Sequence, residues 1–423
     1  MKILVIGSGG REHALCHSIQ KSKDCENLYC APGSDAISLI AECHPIDTKN
    51  KQEILNFCKE YNISFVVIGP EIPLTEGLVD ILISNNIKCF GPTQKGAMLE
   101  KSKIFTKELC DENNVPTGKY KKFSNYEDAL TYCQSINFPS VIKADGLAAG
   151  KGVIITENLE EAKSAIHQCM KEEAFGNAGK EIIIEEFLEG EEISLFSLVD
   201  SSGYIVPLTT AQDHKKIYEG EKGLNTGGMG AYSPVPSISN KKMQDLNNLF
   251  VDPIINALSK KGIYFQGMFY VGIIITKNGP KLLEINVRFG DPETQAILPR
   301  IKSDLLEILY ASATENLHAI KKIEWDPRYC MAVVMSSKGY PEKYKKNTVI
   351  ENLNQIQLSN NSYIYHAGTK KENDLWLSSG GRVLAISSLG ESINQVKKNV
   401  YSTISKIKWQ DGYYRKDIGW RYT

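Results

Sequence analysis

Apolar positions in this chain come in short blocks set between glycine-rich turns and amphipathic stretches. Ile3-Leu4-Val5-Ile6 and Phe65-Val66-Val67-Ile68 are unbroken apolar runs, as expected of strands covered on both faces of a parallel sheet. Lys88-Cys89-Phe90 makes a further strand, and helical periodicity fills Glu12 to about Lys21, about 49–61 and about 75–85. Strand alternating with helix predicts a doubly wound parallel sheet, closing near residue 103. In such sheets ligands bind at the carboxyl ends of the strands, where Gly7-Ser8-Gly9-Gly10-Arg11, Gly69-Pro70-Glu71 and Gly91-Pro92 stand.

Beyond this point the pattern predicts a helix over about 94–113, a break at Val115-Pro116-Thr117-Gly118, and a helix over Ala129–Ile136. Strands follow at Pro139–Ala144, Val153–Thr156 and Ile182–Ile184, the last running into the acidic turn Glu185-Glu186-Phe187-Leu188-Glu189-Gly190-Glu191-Glu192. A helix spans 241–260. Asn278-Gly279 marks a hairpin, making Phe269–Thr276 and the strand from Lys281 antiparallel neighbours. Pro299–Thr314 reads as an amphipathic helix and Trp325-Asp326-Pro327 as a boundary. Short strands and a helix over about 391–407 then compose a small α+β module.

The strand after Lys281 changes the picture most. Glu284, Asn286 and Arg288 alternate with Leu283, Ile285 and Val287, so period two puts the polar residues on one face, about 7 Å apart per step. Carboxylate and amide oxygens are hard ligands that suit Mg²⁺. The arginine adds a planar fork for phosphate or carboxylate. A metal–nucleotide floor with an anion clamp is the expectation.

Glycine-rich segments supply candidate anion sites. Gly7 to Arg11 joins a strand to a helix, the geometry in which free N–H groups and the helix dipole meet an anion. Glu12 stands where the dinucleotide fingerprint needs its third glycine, so a phosphate site is expected and a dehydrogenase is not. Asp145-Gly146-Leu147-Ala148-Ala149-Gly150-Lys151-Gly152 lets backbone approach phosphates. No Ser or Thr follows Lys151 and a strand comes next, which rules out a P-loop. Asn225-Thr226-Gly227-Gly228-Met229-Gly230 reads as a second glycine nest, and Gln212-Asp213-His214-Lys215-Lys216 brings an acid and cations into one loop.

Composition narrows the class. The chain has 423 residues and a formal net charge of -1, so several domains are expected and no basic footprint for nucleic acid exists. No apolar run reaches the roughly 20 residues of a membrane span, and the N-terminal burst is too short for a secretory signal. The ten cysteines form no CxxC pair; reduced thiols in a cytoplasmic protein are expected, without a zinc site.

Taken in order, several segments together resemble the phosphoribosylamine–glycine ligase family of the ATP-grasp superfamily. They are Gly7–Ala14, Lys143–Val153, Asn225–Tyr232, Arg288–Thr294, His366–Thr369 and Arg415–Arg421. The resemblance implies an N-terminal phosphoribosyl-binding α/β domain (1–103), a central ATP-grasp domain (104–325) with a mobile lid at about 121–190, and a C-terminal module (326–423). It implies ATP-dependent ligation of glycine to 5-phosphoribosylamine through glycyl phosphate, in purine synthesis. The amine would come from the amidotransferase that makes it. ATP and Mg²⁺ or Mn²⁺ are implied, with Glu284 and Asn286 as metal ligands and Lys103, Lys143 and Lys151 at the phosphates. Glu185 and the Phe187-Leu188 backbone would meet adenine, with Glu186 in the same set and Glu192 at the ribose. Arg288, Asp213 and Lys151 would be catalytic. Gly9, Gly10, Arg11, Asp213, Lys215, Gly228, Met229, Gly230, Asp291 and Glu293 would bind substrates. One departure is Gly272, where many ATP-grasp enzymes carry a further metal carboxylate. Another is Ser337-Lys338-Gly339-Tyr340-Pro341, which lacks the paired glycines expected before Tyr-Pro. Alternatives are a carboxylase working through carboxyphosphate and a phosphosugar-binding regulator without turnover.

Overall fold

The computed structural model describes residues 1–148, 152–172 and 174–423. Near the N-terminus, β1 (Lys2–Gly7), β2 (Asn27–Pro32), β3 (Glu42–Cys43), β4 (Phe65–Ile68) and β5 (Lys88–Phe90) form a parallel sheet in the order β3-β2-β1-β4-β5. The unbroken apolar runs are buried on both faces, as a parallel sheet requires.

A second body consists of β6 (Tyr120–Phe123), β7 (Ser140–Ala144), β8 (Val153–Thr156) and β9 (Ile182–Glu186), in the order β6-β9-β7-β8. Helices Tyr126–Cys133 and Leu159–Met170 pack on it. Its core, which includes Ile142, Ile166 and Ile184, is separate from the others.

The central sheet begins with β10 (Glu191–Val199) and β11 (Ile205–Asp213). The small hairpin β12 (Lys216–Tyr218) and β13 (Lys222–Asn225) interrupts it, and β14 (Gly230–Ser233), β15 (Gly267–Thr276) and β16 (Gly279–Asn286) complete it. Beyond residue 326 come β17 (Tyr329–Ser337), β18 (Val349–Ile350), β19 (Ser362–His366), β20 (Thr369–Glu372), β21 (Leu375–Ser378), β22 (Arg382–Gly390) and β23 (Gly412–Tyr413). The larger of these strands extend the central sheet: its order is β16-β15-β10-β11-β14-β17-β22-β19, with β23 beside β17. The joint is the antiparallel pairing of β14 with β17.

One apolar core runs from Leu4, Ile6 and Val66 to Val271, Leu282, Ile285 and Val287. It fixes the amino-terminal sheet against the hairpin that carries the polar row. Among the described residues no helix is long and apolar enough to cross a membrane.

Candidate active site

β15 and β16 pair as the antiparallel hairpin expected from Asn278-Gly279. The ladder slips between Gly272 and Ile273, so Leu283 is a bulge residue and Leu282 joins Ile285 and Val287 in the core. Glu284, Asn286 and Arg288 stay half-buried. Glu284 lies opposite Gly272, where an added Cβ would be 3.1 Å from Glu284 Cγ. The bare glycine thus gives the carboxylate its room.

Cations converge on Glu284. Lys215 Nζ donates to its Oε1 at 3.0 Å and lies 3.9 Å from Glu192 Oε2. Lys143 Nζ donates to Leu283 O at 3.3 Å. Lys103 opens helix Lys103–Glu112 behind the Ser102 cap and donates to Gly146 O at 3.0 Å. Lys215, then Lys143 and Lys103, hold the Glu284 carboxyl down to about 2 against burial. Burial lowers Lys103. It also opposes the charge on Lys215, but Glu284, Glu192 and Asp213 outweigh it and raise that group.

The arginine of the row has partners that the sequence did not suggest. Arg288 Nη2 lies 2.9 Å from Glu100 Oε1 and Nε 3.5 Å from Glu71 Oε2. Nη2 also donates to Asn286 Oδ1 at 3.3 Å. Burial opposes its charge, but Glu100 and Glu71 hold the guanidinium proton more firmly than usual. Glu71 belongs to the Gly-Pro-Glu turn at the carboxyl end of β4.

Glu185, expected at adenine, is engaged by two lysines. Its carboxylate is almost fully buried, pairs with Lys107, and has Oε2 2.6 Å from Lys143 Nζ. The side chain braces the lysines. Glu186 accepts from Lys281 Nζ at 2.7 Å and from the Lys119 N–H at 2.9 Å, while Phe187 and Leu188 leave the strand half-buried. Lys151 lies outside the described residues.

Both glycine turns, expected as anion cradles, make bonds within the chain. At the first, Glu12 fills the turn with its own carboxylate. Gly9 N–H donates to Glu12 Oε2 at 2.7 Å, Arg11 Nε donates to Oε1 at 2.6 Å, and a Cβ on Gly7 would meet Glu12 Cδ at 2.5 Å. Arg11 also donates to Phe289 O at 3.2 Å. Only the glutamate half of a capping box forms here, Glu12 accepting the Gly9 N–H, because Gly9 has no side chain to offer. At the second turn, the Gly227 N–H donates to Tyr340 Oη at 3.2 Å and that of Gly228 to Thr226 Oγ1 at 3.0 Å. Met229 donates to His214 O at 2.9 Å, and Gly230 pairs in β14. Gly228 has φ of +106°, which folds the turn back onto Thr226.

Acids gather beside that second turn. Asp213 is pushed well above its ordinary value, first by burial and then by Glu293. Tyr270 Oη donates to Glu293 Oε1 at 2.7 Å and accepts from Ser194 Oγ at 3.0 Å. Asp291 accepts from Gln295 Nε2 at 2.6 Å and lies 3.1 Å from Arg382 Nη2. Burial opposes its ionisation, yet Arg382 and Arg11 hold it below the usual carboxylate range. The sequence reading left out Glu71, Glu100, Lys107, Tyr270 and Arg382 as site residues. Of these, Glu71 alone carried a local signal, its place after a strand end.

The row offers one carboxylate and one amide oxygen, and no cluster of three or more His, Cys, Asp or Glu suited to a metal occurs among the described residues. That donor set fits Mg²⁺, which keeps several waters and shares phosphate oxygens.

Family models for phosphoribosylglycinamide synthetase match along the chain: the N domain at residues 1–100, the ATP-grasp domain at 101–294 and the C domain at 330–421. The chain is 43% identical to a phosphoribosylamine–glycine ligase from Caldanaerobacter subterraneus, covering 100% of both. It is 42% identical to the chloroplastic Arabidopsis thaliana ligase, over 97% of this chain and 78% of that protein. The crystal structure of the Thermotoga maritima ligase superposes with a TM-score of 0.83 at 28% identity, covering 99% of this chain and 100% of that one. The biotin carboxylase domain of Hydrogenobacter thermophilus 2-oxoglutarate carboxylase, a complex with MgADP, gives 0.75 at 16% identity, over 98% and 91%, and shares the fold. With the polar row, the gathered lysines and full-length relatives all in agreement, the chain belongs to the phosphoribosylglycinamide synthetase family.

Proposed function

We propose that the chain ligates glycine to 5-phosphoribosylamine at the cost of ATP, giving glycinamide ribonucleotide, ADP and phosphate. The observation that carries this is the row Glu284, Asn286 and Arg288 facing Lys103, Lys143 and Lys215. A carboxylate is a poor acyl donor. Its oxygen takes the γ-phosphoryl group from ATP, breaking the bond to the β-phosphate and forming glycyl phosphate. The amine nitrogen then bonds the acyl carbon, the C–O bond breaks, and phosphate leaves. The protein positions the reactants and balances charge.

Lys103 and Lys143 hold the phosphates, with Lys151 assigned there from sequence. Glu185 and Lys107 keep Lys143 in place, and the backbone at Glu186, Phe187 and Leu188 receives adenine, with Glu192 at the ribose. Glu284 and Asn286 hold Mg²⁺ or Mn²⁺, which supplies Lewis-acid polarisation of phosphoryl oxygens. Lys215 brings a positive charge to the same carboxylate. Arg288 steadies the oxygens of the transferring group, and Glu71 and Glu100 set its angle. Asp213 and Glu293, two neighbouring acids, take the proton that the amine releases; Asp291 borders the same space. In this reading the chain divides at about 103 and 325, with 121–190 as the lid.

The test is ADP formation from ATP with each substrate omitted in turn. Turnover requiring both glycine and the amine is expected. Bicarbonate-dependent turnover without glycine would replace the reading with a carboxylase, and no turnover with any set would favour a binding protein.

A further inference from the structure

The residues that would carry the chemistry come from the amino-terminal and central parts of the chain. One side chain from the carboxyl-terminal strands reaches them. Arg382 is the first residue of β22. Its Nη1 donates to Gly227 O, to Asp291 O at 2.7 Å and to Gly228 O at 3.4 Å, and Nη2 lies 3.1 Å from Asp291 Oδ2. It therefore ties the 226–230 turn to the Asp291-Pro292 loop, with one charged group holding three carbonyls and a carboxylate.

The tie sets the geometry of the acids. A Cβ on Gly228 would lie 2.7 Å from Asp213 Oδ1 and would also meet Pro292 Cδ. Gly228 is thus wedged between Asp213 and the loop that starts the helix of Glu293. Tyr340 reaches the same turn from the same module by accepting the Gly227 N–H. Asp291 also faces the amino-terminal turn, since a Cβ on Gly9 would be 3.9 Å from its Oδ2 and one on Gly10 would be 2.8 Å from Gln295 Nε2. Parts of all three matched regions meet here, and Arg382 is the cation that closes the junction. The nucleotide lysines have their own contacts elsewhere.

We infer that Arg382 is a positioning residue through which the carboxyl-terminal module fixes Asp213, Glu293 and Asp291 around the acceptor substrates. It acts on glycine and the amine and leaves ATP binding alone. This rests on the ligase reading above. A lysine here keeps one charge but loses the fork that spans both segments.

The experiment compares wild type with Arg382→Ala and Arg382→Lys in the full chain, measuring KM for ATP, glycine and the amine alongside the thermal midpoint. Arg382→Ala is expected to raise KM for glycine or the amine at least tenfold, with KM for ATP within twofold. Arg382→Lys should fall between, and added guanidinium ion should recover part of the alanine variant's turnover. If the alanine variant does not fold, the same split is read on the lysine variant. Unchanged constants overturn the inference, as does an equal rise in all three constants with a lowered midpoint and no guanidinium rescue. Wild type lacking glycine- and amine-dependent turnover would instead sink the ligase reading.

Discussion

The two glycine turns and the polar row on β16 look alike as sequence: each is a set of polar groups placed to meet an anion or a metal. Their structures differ in what those groups already hold. In the turns, backbone donors bond within the chain, Gly9 N–H to Glu12 at the first and the N–H groups of Gly227, Gly228 and Met229 to Tyr340, Thr226 and His214 at the second. Those bonds sit inside folded backbone, and opening them would undo the turn. In the row, the partners are charges on long side chains. Glu284 keeps its side chain 34% exposed and is met by Lys215, with a similar exposure of 36%. A part-exposed ion pair contributes little to stability and can be exchanged for a metal ion or a phosphate at small cost. The turns hold their shape through these bonds, whereas Glu284 in the row has a partner it can exchange for a ligand.

Breaking the row should have the largest effect. Glu284→Gln is expected to lower kcat by roughly 10²–10³-fold, as for loss of a preorganised charge, measured as initial ADP release. Arg288→Ala should cost about 3 kcal/mol of transition-state stabilisation. Near-normal turnover by both variants would move the chemistry off this row.

The first turn should answer differently. Arg11→Ala leaves the buried Glu12 carboxylate without its cation, at about 3 kcal/mol or more of folding stability. Urea unfolding would show it. A variant as stable as wild type with a raised KM for the amine would assign Arg11 to a phosphate site instead.

Further effects are smaller and depend on pH. Burial holds His13 at about 4, helped by the charge on His17, and His366 at about 3, helped by that on His13. Both are neutral in the native state, where His13 Nδ1 accepts the His366 N–H at 2.9 Å. Below about pH 6.5 the unfolded chain takes up protons that the native chain does not. Their contribution is therefore full above pH 6.5 and shrinks as pH falls toward 4, by at most about 1.4 kcal/mol per unit for each. Thermal midpoints at pH 7 and 5 should diverge less in His366→Asn than in wild type. Glu293→Gln removes the neighbour that, after burial, raises Asp213. The acid limb of the rate profile should then move to lower pH; an unmoved limb would separate the two acids.

What was legible followed local pattern. Unbroken apolar runs placed the amino-terminal sheet, and the Asn278-Gly279 turn placed the hairpin under the row. Alternation located Glu284, Asn286 and Arg288, but not the bulge that moves Leu282 inward in place of Leu283. The helix expected over about 94–113 is split into Met98–Lys101 and Lys103–Glu112, because Ser102 leaves the helix to cap the second piece. Strand β11 escaped notice because Pro207 sits at its bulge. Helix Leu159–Met170 buries Ala162, Ala165, Ile166 and Cys169, a helical spacing that was there to be read. Lys107 and Arg382 had no local signature. A lysine on an amphipathic helix looks solvated until the fold brings Glu185 to it, and Arg382 meets residues more than ninety positions away. The carboxyl-terminal strands looked like a separate module because nothing local announces the pairing of β14 with β17.

The central claim is that the glycine carboxylate receives the γ-phosphoryl group at this row. Glycine labelled with ¹⁸O in its carboxylate tests it directly, with ATP and 5-phosphoribosylamine present. One labelled oxygen should appear in each phosphate released, carried across when the acyl C–O bond breaks. Phosphate free of label, formed at the full rate of product formation, would contradict the account.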